Sequence, residues 1–533
     1  MRKRKLMCAF MATTMVASTM LAGCSNDKSS NNGTEANATQ GSGTTASGTE
    51  GTDDNKAGSD VEKPEKITVM VDGTVVTKEN GQAEFEKKWE ELTGIDIEII
   101  QPDHSAYYDV LGQTFAGGDW PDVVLLGSTY YAGYANEGAL WDMTEAWENS
   151  ELKASGRINN EELIDSLYLD GKLYGFSPAR GNGCVTYVKK AWLDNVGLDA
   201  PTNYEEYLEM LDKFTNGDPD GNGIDGDTYG VSAAGLIGTE APYVNYLPEF
   251  YQDAYSSFYQ KEDGTWADGF TEDSMKEALT RLKEAYEAGY IDKETLTNKT
   301  SDCRTKFYED KFGVFTYWAG TWATNLKTNL ANNDKDDELV ALEPITELGN
   351  YLERQAPVWA ITSKCENPEG VFKYFIESML DGGDMQTLWT YGAEGTHWST
   401  KAETILGVTY EEGQFHMLEN LEKPGTAYTK NHIDPLLSIA DFIDDKDPGI
   451  DQIAEEARES AEMFIENSTL VVTVPSTDVM SQYNGDLTTL KNSIIADVVT
   501  QGVSIEDAYA RFEKEGGADW SQAIVDSLNE LNK

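Results

Sequence analysis

The chain has 533 residues, and its 94 Asp and Glu outweigh 41 Lys and Arg, giving a formal charge of −53 at neutral pH. A surface this negative is repelled by nucleic acid and by anionic lipid, which excludes both as electrostatic partners. A single hydrophobic core stops growing well below this length, so two lobes are expected.

Arg2, Lys3, Arg4 and Lys5 open the chain, and residues 6–22 carry no charge and are mostly apolar. The basic flank and short apolar stretch fit an export signal rather than a spanning helix, which needs about 20 predominantly apolar residues. The stretch ends in Leu21, Ala22, Gly23 and Cys24. Small residues before the Cys leave room for a peptidase, and the motif resembles the bacterial lipobox. That resemblance implies cleavage before Cys24 and acylation of its thiol, with palmitate among the chains added. Residues 1–23 are thus expected to be a lipoprotein signal peptide. Residues 24–62 are rich in Ser, Thr, Gly, Asn and acids and hold no aromatic. Such a segment cannot bury a core, and it is expected to be a tether with a reach on the order of 30 Å.

Strand and helix signals alternate after the tether. Residues 66–71 (KITVMV) form a β-rich run, 83–93 have helical apolar spacing, Gly94 is positioned as a C-cap, and 95–100 alternate as a strand. A helix over 107–116, a turn over 119–122 and a buried strand over 123–126 follow. This order predicts an α/β fold with parallel sheets, whose ligands bind beyond the carboxyl ends of the strands. Cys8 lies in the signal and Cys24 is the lipid site, leaving Cys184, Cys303 and Cys365 without CxxC spacing. Three free thiols are expected, with one bridge and a spare thiol as the alternative.

FEKKWEELTGIDIEI (85–99), AGGDWPDVVLL (116–126), NEGALWDMTE (136–145), DGKLYGFSPAR (170–180), KKAWLDNVGLDAPTNYEEYLEML (189–211), FYEDKFGVFTYWAGTW (307–322) and YGAEGTHW (391–398) stand in an order that resembles the family 1 extracellular solute-binding proteins of ABC importers. IEDAYARFEKEGG (505–517) extends the likeness to the end of the chain. The resemblance implies a two-lobe, periplasmic-binding-protein-like α/β fold with a hinge. Lobe one would take 63–178 and 319–363, and lobe two 179–318 and 364–533. It further implies a monomer, lipid-anchored at the outer face of the cell membrane, that closes on an oligosaccharide or other small solute and delivers it to ABC permease subunits. A surface sugar sensor or adhesin would share the anchor and fold.

A glycoside-processing enzyme is the competing class, since two carboxylates suffice for glycosidic hydrolysis. With 94 carboxylates, such pairs carry no information. Only His104, His397, His416 and His432 are available as imidazole bases, and GxSxG, HExxH and GxxxxGK[ST] are all missing. Binding without catalysis is therefore expected.

Aromatic rings are the candidate ligand contacts, because the C–H faces of a sugar pack on indole while its hydroxyls reach polar partners. By the resemblance, Trp318 and Trp322 stand where a crossover strand leaves for a cleft helix, and Arg180 at the first lobe crossing could donate to a hydroxyl or carboxylate. Trp398 is a fourth candidate, although Gly392 and Gly395 in its segment read as tight structural backbone and His397 as a core histidine.

Asp218, Asp220, Asn222 and Gly223 give the DxDxNG opening of an EF-hand loop, with the Ile224 carbonyl turned inward at the seventh position. The twelfth position is Tyr229 in place of the usual Glu. Relatives close the loop with acids near the ninth and tenth positions, which makes Asp227 the closing ligand and Asp225 the second choice. A structural Ca²⁺ is expected there; a turn-rich acidic loop without metal is the alternative.

Overall fold

A computed structural model describes residues 61–72, 81–103, 106–234, 236–237, 247–251, 253–345, 347–405, 407–418 and 433–531. The signal peptide, Cys24, nearly all of the tether, His104 and His432 lie outside these residues. Among the described residues, no helix is long and apolar enough to cross a membrane.

Lys66–Met70 and Asp96–Ile100 pair in parallel, with Ile67 opposite Ile97 and Val69 opposite Ile99. Period-2 alternation puts Ile97 and Ile99 inside and Asp96 and Glu98 outside. Between these strands runs the helix Gln82–Thr93, capped by Gly94, whose N–H bonds Glu90 O. Val123–Leu126 joins the other side of Lys66–Met70 in parallel, and Val358–Ile361 closes that edge antiparallel.

The second four-stranded sheet runs Leu339–Ala341, Cys184–Lys189, Phe312–Trp318, Tyr229–Val231. Its two central strands are antiparallel, with Trp318 opposite Cys184, and only Tyr229–Val231 runs parallel to Phe312–Trp318. The parallel pairing expected from the sequence thus holds for the first three strands of the first sheet, whose Val358–Ile361 edge is antiparallel, while the second sheet is mostly antiparallel.

Each sheet has its own apolar core. One core draws on residues from Ile67 to Phe176 and from Ala356 to Ala440; the other draws on Val185 to Tyr351 and Phe464 to Leu528. The apolar cores group the chain differently from the lobes expected from the sequence. Residues 319–351 join the second core, because the helix Thr321–Asn332 buries Ala323, Leu326 and Leu330 against the sheet it leaves. Residues 371–393 and 433–440 join the first, because Phe375 and Trp389 pack on Trp359 with centroids 5.2 and 5.8 Å away. Among the described residues the chain passes between cores three times, near 177–184, 352–355 and 441–463.

Candidate functional site

The first two passages meet each other, and the chain on either side of the third joins them. Arg180 N–H donates to Leu437 O at 2.7 Å, Arg354 N–H to Asn182 O at 3.1 Å, and Val471 N–H to Glu353 O at 3.0 Å. Tyr351–Glu353 pairs in parallel with Ser468–Leu470. The approach at Gly181 is so close that a Cβ there would stand 1.8 Å from Arg354 O, so no other residue fits. Inside this knot Glu353 is fully buried. Arg180 Nε donates to both its oxygens, at 3.1 and 3.0 Å, its Nη2 bonds Oε2, and Gly181 N–H reaches Oε1 at 3.3 Å. A two-pronged guanidinium with an added backbone donor is the arrangement that tolerates a buried carboxylate.

Beside the knot opens a cavity of about 810 Å³, within the range of small-molecule sites. Arg180, Asn159, Asn160, Leu436, Ile465 and Ser468 are among its lining residues. The wall thus draws on the first crossing, on the end of the first core and the start of the third passage, and on Ile465 and Ser468 beyond that passage. Two carboxyls here resist ionisation. Burial raises Asp447, which lines the cavity, against hydrogen bonds from Tyr391 and the Gly449 and Ile450 amides. Burial also pushes Asp434 up to about 6, beside the lining residues Pro435 and Leu436.

Of the four expected ligand contacts, Arg180 lines the cavity and the three Trp do not. Trp318 ends the central strand and lies half-buried on the second core, with the Arg354 guanidinium 4.6 Å over its ring. Trp322, in the first turn of the next helix, meets Tyr317 edge-on at 4.8 Å and carries Arg304 at 5.1 Å. Both are cation–π contacts that fix an indole. The turn between them touches the cavity wall, since a Cβ at Gly320 would lie 3.8 Å from Leu436 Cδ1. Trp398 gives its indole N–H to Gly392 O at 2.8 Å and stacks on Phe415 at 4.9 Å. His397 is buried, with Nδ1 accepting from Ala393 N–H at 2.8 Å, in keeping with a core histidine. Sequence reading missed the wall from Asn159 to Glu162 and from Pro435 to Asp447. Short polar stretches carry no periodic signal, and only the chain crossings bring these segments together.

The acidic loop follows the helix Tyr204–Asn216. Gly223, at φ 86°, supplies the left-handed turn, and its N–H donates to Asp218 Oδ2 at 2.9 Å. The Asn222 amide donates to Asp220 and to Asp227, each at 2.9 Å. Asp218 Oδ1 is buried with no hydrogen-bond partner, an orphaned acceptor that suits a cation. Asp220 is raised by burial first and by the like charges of Asp227 and Asp218 after it. Among the described residues no three Asp, Glu, His or Cys side chains form a ready metal cluster by themselves; the loop's donor set is mixed, with the Asn222 amide between two carboxylates. The thiols of Cys184, Cys303 and Cys365 are unbridged.

Comparison with known proteins adds four findings. The bacterial extracellular solute-binding protein family matches residues 76–377, more than half of the chain. Lipoprotein LipO of Bacillus subtilis (strain 168) is 25% identical over 258 residues, 47% of this chain and 50% of LipO, so the match spans about half the length of that relative. The polygalacturonan/rhamnogalacturonan-binding protein YtcQ of the same organism is 23% identical over 416 residues, 73% of this chain and 79% of YtcQ. The two-lobe fold is shared with the crystal structure of alginate-binding protein AlgQ2 without calcium ion, at a TM-score of 0.61 and 18% identity over 88% of this chain and 98% of that one.

Proposed function

The chain belongs to the bacterial extracellular solute-binding proteins, a family of binding proteins rather than enzymes, and we propose that it captures an oligosaccharide in the crossover cavity and delivers it to ABC permease subunits. The observation that carries this reading is the position of the cavity against two of the three chain crossings, at Arg180 and at Asp441 to Asp447, with Glu353 of the remaining crossing bonded to Arg180 behind the wall. A ligand held there touches two of the segments through which movement between the two units must pass, so it can shift their equilibrium by binding one arrangement better. The carbohydrate class is supported by the ligands in the names of YtcQ and AlgQ2. Arg180 is the proposed polar contact, with Trp318 and Trp322 as apolar contacts beside Leu436; Trp398 is retained as an outlying candidate.

A thermal-shift panel of oligosaccharides on the full chain tests this. A ligand at 100 times its Kd stabilises by about 2.7 kcal/mol, and Trp322→Ala should weaken the best hit by about 1 kcal/mol or more. A panel without a single stabilising sugar sinks the proposal.

We further propose that Cys24 carries the lipid anchor that holds the protein at the outer face of the membrane, supported by its motif and by the lipoprotein LipO. Cys24→Ala should then leave the membrane fraction or persist as an unprocessed precursor; a variant still processed and membrane-bound contradicts it.

Ca²⁺ is proposed for the acidic loop, held by Asp218, Asp220, Asn222, the Ile224 carbonyl and Asp227 in a structural role. The orphaned Asp218 oxygen and the mutual repulsion of the carboxylates support it. Chelation should lower the melting temperature, and Ca²⁺ should restore it where Mg²⁺, with its tighter octahedral demand, does so poorly. Metal analysis accompanies the scan, and a calcium-loaded protein whose melting ignores the chelator refutes the site.

A further inference from the structure

We infer that the crossover cavity selects carbohydrate without negative charge. The inference rests on the reading of that cavity as the sugar site and fixes the chemical class it takes. Four carboxylates stand on the wall: Glu161, Glu162, Asp441 and Asp447. Glu161 and Glu162 are exposed in the first turn of the helix Glu161–Asp165, which Asn160 caps by accepting Leu163 N–H. Asp441 accepts the Asn159 amide at 2.9 Å, and Asp447 accepts the Tyr391 hydroxyl and two backbone amides. Among the described lining residues the only cation is Arg180, and its charge is already met by Glu353 behind the wall. Arg157 lies nearby without lining the cavity; its guanidinium serves the carbonyls of Leu380 and Asp441.

An entering uronate would therefore meet Glu161, Glu162 and Asp441, with Asp447 adding its charge once ionised, and no cation on the wall beyond the Arg180 already paired with Glu353. Its desolvated carboxylate would face like charges in a space where water screens them less than in bulk. A neutral sugar meets the opposite situation. Its hydroxyls donate to those same carboxylate oxygens, and the amides of Asn159 and Asn160 and the hydroxyls of Ser438 and Ser468 supply mixed donors and acceptors. The wall thus differs in charge preference from what the polyuronate ligands in the relatives' names would suggest.

The test is a calorimetric titration of the full chain with sugar pairs that differ only in oxidation at C6, such as galactotriose against trigalacturonate and cellotriose against its uronate. The neutral member of the binding pair should hold at least about tenfold tighter at low ionic strength, and the gap should shrink as salt is raised. The double variant Glu161→Gln, Glu162→Gln, at exposed positions, should narrow the gap by relieving the uronate. A uronate that binds as tightly as its neutral partner overturns the inference. So does a gap that the double variant leaves unchanged, which would place the exclusion in the charge of the whole chain. If neither member of any pair binds, the carbohydrate reading itself fails and this inference with it.

Discussion

Glu353→Ala should lower the unfolding free energy by about 3–5 kcal/mol, the cost of stranding a buried charge. The Arg180 side chain is only 19% exposed, and Glu353 supplies the carboxylate that its Nε and Nη2 bond. Removing the acid leaves the guanidinium unpaired and the Gly181 amide without its acceptor. The loss falls where three chain passages are tied, so packing elsewhere cannot compensate. Replacing both partners with apolar residues of similar size should cost far less, since a buried pair as a whole can be near neutral. Urea titrations of the wild type, the single variant and the double Arg180→Met, Glu353→Leu variant measure both. A Glu353→Ala protein within about 1 kcal/mol of wild type would show that the pair does not hold the crossing.

Glu249→Gln should act through pH. Burial pushes the Glu249 carboxyl from 4.5 up to about 7, while the Thr186 and Tyr207 hydroxyls beside it pull the other way. Its Oε2 has no hydrogen-bond partner. A carboxyl whose folded pKa is raised binds more protons in the folded state between the two values. Its contribution to stability is full below about 4.5 and is lost as pH rises through about 7, which for this shift amounts to about 3 kcal/mol. Gln carries no charge to desolvate, so the variant should lack this decline and gain on the wild type from pH 5 to pH 8. Denaturation midpoints across that range decide it; parallel curves for the two proteins would mean that Glu249 is ionised in the fold at neutral pH.

Much of the first unit was legible because its elements are periodic. The run 123–126 forms a strand with those limits, and 107–116 became the helix Tyr107–Gly117. These segments alternate or repeat at the spacing that one buried face imposes. The aromatic signal was less informative about ligand contacts. Trp89, Trp359 and Trp389 are fully buried and pack on one another and on Phe375, so much of the indole content serves a core. Arg180 was found from its place at the first crossing, but its partner Glu353 lies 173 positions away and no local pattern links them. The membership of each core was hidden for the same reason, since which sheet a helix packs on is decided by side chains distant in sequence.

The interleaving of the two cores has a consequence for how the protein reaches its folded state. The first core needs residues up to Ala440, and the second, begun at Val185, is completed only by the helices Asp478–Gln501, Ile505–Lys514 and Gly517–Leu531. As the chain leaves a ribosome or an export channel, neither unit has its full complement of apolar partners until most of the polypeptide has emerged. Assembly is therefore a late event, dominated by contacts between distant segments, which is the topology that folds slowly. No single cut yields two self-sufficient halves. A chain truncated before residue 464 would present the second unit's apolar surface to solvent, so quality control acting on exposed hydrophobic surface would meet every incomplete copy.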